Sequence, residues 1–592
     1  MGRFPAGWGA WRRTTAAPAS ARKRIHSTND RIVGILAVSL ALLSVLWIRC
    51  FWLQVVQAKS LGALARAQYT SIRSLQAQRG AIYDRTGRPL ALSVPVPSVF
   101  ANPRQVSDPA VTAARLAHLV NRNAAAVRQR LEKNKGFVWV ARQVDPDLAP
   151  QLGAFRGEGI GVIEEPKRFY PHGKLACHLL GFVDIDQQGL EGIEWSLNGA
   201  LRGQPGWRST LRDARGHLLV GSWTSEADPI NGYDVVLTVD SVVQQAAEEA
   251  LAWGVDEYHA KGGSIIVMEP HTGAILAMAN WPIYDPNEPS NAPAESRRNR
   301  AITDIMEPGS VFKTVTASAL LEEGLVTPEE QFFCENGKYH TVGRHILDDH
   351  TPHGMLSFHD VIAYSSNIGT AKAAQRLKPD VLYRYIRAFG YGQKTGIDMP
   401  GEVSGIVAPP AKWSKLSPFI IPIGQEVGVT PLQMAVMMAV IANGGQRVQP
   451  YLVERIQTTD GALVRAHASD TPARILRPET AALVQSMLSS VVTSGTGRLA
   501  NVQGLTVAGK TGTAQKLEPN GRYSHSRFVA SFVGFGPVPD SQFVMAVNID
   551  EPRPAYFGGV VAAPIFKRVV EHVASYLNLE RTSQPNPAGA LL

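Results

Sequence analysis

The longest apolar stretch of the chain lies near its N-terminus. Residues 32–48 contain no charged side chain, and after Arg49 the apolar pattern resumes as far as residue 56. At about 1.5 Å of rise per residue, a helix over residues 32–56 is longer than the roughly 30 Å hydrocarbon core of a membrane. Arg49 can then reach the interface beside Trp47 and Trp52. The pattern predicts an uncleaved transmembrane helix; a cleaved signal peptide and a buried core helix are the alternatives.

Beyond this segment the chain alternates short helical and strand patterns. The first region is predicted to hold a polar helix or connector (63–78), a turn and an apolar strand (79–99), and helical stretches (110–133). After a turn near residue 231, the second region opens with a strand (234–238), a helix (242–253) and two strands (263–268 and 274–279). Both regions are therefore mixed in secondary structure.

These patterns predict a multidomain α+β protein of five segments. They are a basic cytoplasmic tail (1–31), the transmembrane helix (32–56), a non-catalytic N-terminal pedestal domain (57–230), a second domain (231–577) and a disordered tail (578–592). Because basic side chains precede the apolar helix and mixed charges follow it, we expect the N-terminus in the cytoplasm and both large domains outside.

The net charge of +9 does not indicate a nucleic-acid-binding protein. Residues 1–31 hold seven basic side chains and one acidic one, which account for +6 of that charge. A protein that binds many phosphates needs its basic excess on a folded surface. Cys177 and Cys334 lie far apart without metal-ligand spacing, so we expect buried thiols and no metal site.

Ser310 and Lys313 form a Ser-x-x-Lys motif directly after a helix breaker at 307–309. A spacing of three residues places both side chains on one face of the helix predicted to follow. A serine hydroxyl needs a base within hydrogen-bond reach, and a desolvated lysine can lose its proton and take that role. The helix N-terminus also supplies positive potential where an oxyanion forms. Taken alone, the motif is weak evidence, because it occurs by chance in most chains of this length and is more often a helix cap followed by a surface lysine.

A Ser-x-Asn motif follows, with Ser365 and Asn367 at the end of a helical stretch. A polar turn is the simplest interpretation of this motif. In a catalytic interpretation, Ser365 passes protons between the lysine and a leaving group, and Asn367 orients Lys313 and a substrate amide.

A Lys-Thr-Gly motif begins at Lys510, on a predicted strand. Gly512 removes a side chain so that a peptide can approach the backbone, and Lys510 brings positive charge to the site. The hydroxyls of Thr511 and Thr513 can bind a carboxylate. Lys394 begins a second Lys-Thr-Gly, but that copy leads into a Gly/Pro loop, so we assign the site to Lys510.

The three motifs, in this order and outside a membrane anchor, resemble the class B penicillin-binding proteins, and most closely their division-specific members. The resemblance covers most of residues 31–577. The segments that carry it are 79–93, 189–194, 300–310, 396–401 and 428–433. It implies a penicillin-binding transpeptidase domain, in which helices flank an antiparallel five-stranded sheet, standing on an extended pedestal.

The resemblance also implies a reaction. Ser310 attacks the penultimate D-Ala carbonyl of a peptidoglycan stem peptide that ends in D-Ala-D-Ala, and an amine of a neighbouring strand takes the acyl group. Lys313 is the implied base, Ser365 and Lys510 are the proton-relay partners, and the N–H groups of Ser310 and Thr513 form the oxyanion hole. β-Lactams are expected to acylate Ser310, and no cofactor is implied.

A polytopic lipid II polymerase of the FtsW type and other septal division proteins are the implied partners, at the inner membrane. Three alternatives remain: an elongation-specific relative, a D,D-carboxypeptidase or β-lactamase-type hydrolase, and a catalytically silent scaffold. Residues 368–509 lack the Glu-x-x-Leu-Asn motif of class A β-lactamases, and the intact motifs speak against a silent site.

Overall fold

The computed structural model describes residues 28–155, 157–212, 218–343, 345–468, 471–518 and 520–579. The tails predicted at residues 1–31 and 578–592 lie almost entirely outside the described residues. The chain forms two compact units. The described parts of residues 1–74 and 207–227 form one, and those of residues 75–206 and 228–592 form the other.

The first unit begins with the predicted apolar helix. It runs Thr28–Phe51 and continues as a short π-helix, Trp52–Val56. Residues Asn29–Val56 are the one segment of the described chain that is long and apolar enough to cross a membrane, and its most apolar 18-residue window has a mean hydropathy of 2.3. The predicted apolar helix is confirmed.

The connector differs from its prediction. Helix Ala58–Tyr69 begins almost directly after the apolar helix, and strand Thr70–Leu75 follows it, where a polar helix or connector was predicted for 63–78. The strand joins Gly206–Arg212 and Leu218–Ala227 in a three-stranded sheet. These partners lie far along the chain, so the local pattern around residue 70 does not reveal them.

The second unit opens with the α/β pedestal. Its helices are Pro109–Leu119, Ala124–Leu131, Ala149–Leu152, Cys177–Leu180, Gly192–Ser196 and Asn198–Leu201. Its strands are Ile82–Tyr83, Pro89–Ala101, Val138–Ala141 and Ile160–Phe169. The helical stretches predicted over 110–133 are two helices, and the second begins where the Asn123 side chain accepts a hydrogen bond from the Ala126 N–H.

One seven-stranded sheet contains strands from both sides of residue 230. Strand Asp234–Leu237, predicted to open the second domain, pairs in parallel with Ile82–Tyr83 of the pedestal. It also pairs antiparallel with Val453–Gln457, which in turn pairs with Leu463–Ala466. The boundary near residue 230 stays a prediction, and the flanking regions share backbone hydrogen bonds.

A buried cluster of three charged side chains joins distant segments of the pedestal. The carboxylate of Glu194 lies 2.6 Å from Arg79 Nη2 and 2.5 Å from Arg168 Nε, and all three side chains are almost completely buried. Arg168 also donates to the carbonyl of Gly80 at 2.8 Å. Desolvated charges of this kind stabilise a fold only while they remain paired.

We therefore expect Glu194→Ala to destabilise the protein by about 3–5 kcal/mol, because it leaves two guanidinium groups buried without their anion. Glu158→Ala is a matched control, since Glu158 forms a half-exposed pair with Arg115 at 3.3 Å. That change should cost no more than about 1 kcal/mol. Chemical denaturation of both variants checks this, and equal losses would contradict the prediction.

The five-stranded sheet of the second domain is antiparallel throughout and confirms the predicted fold class. Its strands are β1 (Gly262–Met268), β2 (Ile275–Trp281), β3 (Ala508–Leu517), β4 (Tyr523–Gly536) and β5 (Phe543–Asp550), in the spatial order β2-β1-β5-β4-β3. The ends of β1 and β2 lie within two residues of their predicted positions. Strand β3 is an edge strand, so part of its backbone hydrogen-bonding groups faces away from the sheet.

Helices cover both faces of this sheet. The principal ones are α1 (Ser241–Glu257), α2 (Lys313–Glu322), α3 (Asn367–Ala374), α4 (Pro431–Ala442), α5 (Pro478–Thr493) and α6 (Gly558–Val573). Ile265 and Val267 of β1 pack in the core with α1 and α6, whereas Ile266 and Met268 face the core that contains α2, α4 and α5. This alternation follows from the two-residue period of a strand.

Shorter elements complete the second domain. The helices are Ala294–Arg297, Arg300–Thr303, Phe358–Ala363, Pro379–Ala388 and Ser417–Ile420. The strand pairs are Gln331–Phe333 with Met355–Ser357, Lys338–His340 with Ile346–Asp348, Ile406–Val407 with Val427–Gly428, and Gln446–Arg447 with Ala473–Arg474. Cys177 and Cys334 are buried free thiols, as predicted.

Candidate active site

Ser310 lies in a tight turn against the sheet edge. A 3-10 helix, Gly309–Phe312, leads directly into α2, so the serine precedes the helix that Lys313 begins. Gly309 has φ +50°, and a Cβ there would come within 3.0 Å of the Thr513 carbonyl oxygen. Only glycine combines this backbone conformation with such a close approach. The turn thus holds Ser310 beside β3.

Lys313 is fully buried, and its ammonium nitrogen points at the Ser-x-Asn motif. Lys313 Nζ donates to the Ser365 carbonyl oxygen at 2.5 Å and to Asn367 Oδ1 at 2.7 Å. It also lies 3.3 Å from Ser365 Oγ. Burial lowers the pKa of Lys313 to about 7, against the opposing effect of the Asp349 carboxylate. Near neutral pH a large fraction of this amine is therefore unprotonated.

Ser365 adopts a left-handed backbone conformation with φ +63°. For a residue with a side chain this costs of order 1–3 kcal/mol and persists only where the surroundings enforce it. The conformation turns the Ser365 hydroxyl toward both lysines. Helix α3 begins at the next turn, where the Ser366 side chain accepts a hydrogen bond from the Gly369 N–H.

Lys510 reaches the same hydroxyl from β3. Its Nζ donates to Ser365 Oγ at 2.9 Å and to the Thr511 carbonyl oxygen at 3.3 Å. Burial, and then the charge of Lys313, lower the pKa of Lys510 well below its usual range. From the sequence, Lys510 was expected to supply positive charge; its burial disfavours the charged form of the amine.

The rest of the Lys-Thr-Gly strand packs on neighbouring elements. Thr511 Oγ1 shares a 2.8 Å hydrogen bond with Thr496 Oγ1, and Thr513 Oγ1 accepts from the Gly558 N–H at 3.1 Å. A Cβ on Gly512 would lie 3.0 Å from the Pro308 carbonyl oxygen. The Cβ side of Gly512 therefore faces the Ser310 turn, and the approach of a peptide to the strand backbone stays a prediction.

The structure thus brings together four of the sequence-predicted side chains through direct hydrogen bonds: Lys313, Ser365, Asn367 and Lys510. Ser310 is adjacent through the chain, and its hydroxyl makes no hydrogen bond to any described residue. Catalytic hydrogen bonds are often long before substrate arrives. The arrangement offers a free hydroxyl, a neutral amine and a proton path through Ser365.

Sequence reasoning missed Asp349. Its carboxylate accepts hydrogen bonds from Ser366 Oγ and the Asn367 N–H, both at 2.5 Å, and from the Ile368 N–H at 3.1 Å. Asp349 lies in a loop after a two-stranded hairpin, and nothing in the surrounding pattern marks it. Its partners become visible only in the fold.

The second Lys-Thr-Gly copy lies apart from this network. Lys394 is exposed, and Glu402 accepts hydrogen bonds from the backbone N–H groups of Thr395 and Gly396 at 2.6 and 3.2 Å. Gln449 donates to the Gly396 carbonyl oxygen at 3.0 Å. These contacts are those of a structural loop.

Comparisons with known proteins agree with this geometry. The family described as "Penicillin binding protein transpeptidase domain" matches residues 263–571, and "Penicillin-binding Protein dimerisation domain" matches residues 74–237. The chain is 34% identical to "Probable peptidoglycan D,D-transpeptidase PenA" of Neisseria meningitidis, over 96% of each chain. It is 32% identical to "Peptidoglycan D,D-transpeptidase FtsI" of Escherichia coli, over 90% of this chain and 89% of that one.

A solved structure shows the same architecture. Penicillin binding protein 3 of Mycobacterium tuberculosis, complexed with aztreonam, superposes with a TM-score of 0.67 at 28% identity, covering 86% of this chain and 98% of that one. Fold, motifs and sequence similarity all agree over most of the chain. The chain therefore belongs to the class B penicillin-binding proteins, the peptidoglycan D,D-transpeptidases that join a dimerisation domain to a transpeptidase domain.

Proposed function

We propose that Ser310 is the nucleophile that accepts the acyl group of a stem peptide ending in D-Ala-D-Ala. The observation that carries this is the buried network in which Lys313 and Lys510 both reach Ser365, directly behind the Ser310 turn. Two lysines with lowered pKa values in one site are rare outside functional sites. With its pKa lowered to about 7, Lys313 can accept a proton at neutral pH without a histidine.

In the proposed acylation, Ser310 Oγ attacks the penultimate D-Ala carbonyl carbon while the neutral amine of Lys313 takes the hydroxyl proton. The backbone N–H groups of Ser310 and Thr513 stabilise the oxyanion. The peptide C–N bond then breaks, and a proton passes through Ser365, with Lys510 as its second partner, to the departing D-Ala amine. An ester on Ser310 remains.

Transfer reverses these roles. The amine of a neighbouring stem peptide attacks the ester carbonyl, loses a proton to the unprotonated base, and releases Ser310 as a new peptide bond forms. In this proposal the hydroxyls of Thr511 and Thr513, on the edge strand β3, bind the terminal carboxylate of the donor, and Gly512 keeps the strand close to Ser310. Asn367 holds Lys313 through Oδ1 and orients the substrate amide.

Benzylpenicillin provides the direct test, because its strained amide acylates the same serine. The penicilloyl ester that forms is then hydrolysed slowly. We expect intact-mass analysis of the full-length protein in detergent to show one penicilloyl adduct per chain, and peptide mapping to place it on Ser310. An adduct elsewhere would contradict the assignment. No adduct would favour a catalytically silent scaffold.

The two Lys-Thr-Gly copies give a sharper test of the site. Lys510→Ala should slow covalent labelling by a fluorescent penicillin about 100-fold or more, since it removes a proton-transfer partner from Ser365. Lys394→Ala is the matched control and should label at the rate of the unmodified protein. If Lys394→Ala slowed labelling more than Lys510→Ala did, the catalytic lysine would be Lys394 instead.

We further propose that the enzyme acts in septal wall synthesis, from the cytoplasmic membrane, with the N-terminus inside and the catalytic domain in the periplasm. Its similarity to relatives named FtsI and penicillin binding protein 3 supports this role. A polymerase of the FtsW type is the proposed partner, as the resemblance to the division-specific class B enzymes implies.

Depleting this protein in its source cell distinguishes a role in cell division from a role in cell elongation. A division enzyme leaves cells that elongate without dividing, whereas an elongation enzyme leaves rounded cells. We expect depleted cells to form filaments. Expression of the unmodified chain should restore division, and expression of a Ser310→Ala chain should not. Rounded cells would assign the elongation role instead.

A further inference from the structure

The turn that carries Ser365 and Asn367 is under strain and depends on a single carboxylate. Ser365 has φ +63°, and the three residues after it are held by Asp349 through the Ser366 hydroxyl and the backbone N–H groups of Asn367 and Ile368. These are charge-assisted hydrogen bonds, roughly twice as strong as neutral ones. Asp349 also lies at the N-terminus of α3, where a negative charge is favoured.

The side chain of Asn367 is fixed from the same loop. Asn367 Nδ2 donates to the Asp348 carbonyl oxygen at 2.8 Å, which leaves Oδ1 to receive Lys313 Nζ. The loop at residues 348 and 349 therefore determines which end of the Asn367 amide faces the lysine. None of these contacts involves the substrate.

Among the described residues, Asp349 is the one carboxylate that acts on the charge of Lys313. The other groups that act on it are the Cys334 thiol, whose pKa is raised by burial, and the amine of Lys510. A protonated thiol and an amine carry no negative charge, so neither stabilises an ammonium group as a carboxylate does. The negative charge of Asp349 opposes the effect of burial and raises the pKa of Lys313.

We propose that Asp349 is a positioning residue for the reaction: it holds the Ser365–Asn367 turn in its strained conformation and supplies the counter-charge to Lys313. This rests on the proposed role of Lys313 as the base of acylation. Asp349 touches neither substrate nor the reacting atoms. It acts through the placement of Ser365 and Asn367 and through its charge.

Two variants separate these actions. Asp349→Asn retains an oxygen that accepts from the Asn367 and Ile368 N–H groups but removes the charge. Asp349→Ala removes the three hydrogen bonds as well. Asp348→Asn is a matched control, because it removes the same charge one residue away, from an exposed side chain that contributes only its backbone carbonyl to the site.

The measurement is the second-order rate constant for acylation by a fluorescent penicillin, as a function of pH, with the full-length protein in detergent. Without the Asp349 charge the ammonium form of Lys313 is less stable, so its pKa falls and the neutral base persists to lower pH. We expect Asp349→Asn to shift the acidic limb of the profile to lower pH and Asp348→Asn to leave it in place. Asp349→Ala should reduce the rate constant about tenfold or more.

A purely structural aspartate would lower the melting temperature and leave the position of the acidic limb unchanged, and that result would overturn the proposal. So would an equal shift in Asp348→Asn, or an unchanged rate in a folded Asp349→Ala protein. If the alanine variant does not fold, the pH profile of Asp349→Asn decides. Failure of the unmodified protein to be acylated at all would instead refute the proposed function.

Discussion

Ser310→Ala abolishes covalent labelling by fluorescent penicillin: this is the largest effect that we expect from any single change. Without the hydroxyl oxygen no ester can form, and loss of a nucleophile of this kind costs about 10⁴-fold or more in rate. Labelling is measured on gels over time with full-length protein. Ser404→Ala serves as a control, since Ser404 is exposed and its hydroxyl contacts only a neighbouring carbonyl oxygen.

The fold should tolerate this change. Ser310 is only partly buried, and its hydroxyl makes no hydrogen bond to a described residue, so removing it should alter stability by no more than about 0.5 kcal/mol. Thermal unfolding of both proteins checks that the variant is folded. Persistent labelling of folded Ser310→Ala protein would place the nucleophile elsewhere.

The catalytic motifs could be predicted from the sequence because their chemistry is local. Ser310 and Lys313 are three residues apart on one helical turn, and Lys510 to Thr513 share one strand, so residue type and spacing carry much of the information. The choice between Lys510 and Lys394 also followed from local pattern, a strand in one case and a Gly/Pro loop in the other. The hydrogen bonds of Thr395 and Gly396, next to Lys394, are consistent with that choice.

The rest of the site could not be predicted because it depends on contacts between distant segments. Asp349 is separated from Ser365 by a strand and a helix, and the left-handed φ of Ser365 is imposed on a residue type that does not prefer it. The approach of a peptide to the strand at Gly512 stays a prediction, and the missing side chain also makes room for the Ser310 turn, which the sequence did not indicate. Residue type and spacing indicated the candidate site residues, and the fold showed what each of them contacts.

The same limit applies to the larger architecture. The strand Asp234–Leu237 was identified, yet its partners Ile82–Tyr83 and Val453–Gln457 lie on either side of it in sequence, far from it along the chain. A hydrophobic pattern gives the existence of a strand but carries no information on which strand it joins. Sequence periodicity therefore cannot predict that the pedestal and the second domain share a sheet.

The second large effect concerns Lys313. Lys313→Met keeps an unbranched side chain of similar length but removes the amine, so no base remains beside Ser310. We expect acylation by benzylpenicillin to slow by about 10²- to 10⁴-fold. Lys415→Met, at an exposed lysine of the same domain, should leave the rate unchanged. Intact-mass time courses measure all three proteins.

The pH dependence of the unmodified protein tests the same base independently of mutation. Because burial lowers the pKa of Lys313 to about 7, the reactive neutral amine predominates above that pH and becomes scarce below it. The acylation rate constant should therefore rise with pH, change slope near pH 7 and then level off. A rate that stayed constant from pH 5 to pH 9 would show that Lys313 does not accept the proton. Inactivity of Lys313→Met would then be explained by displacement of Ser365 and Asn367, which Lys313 contacts.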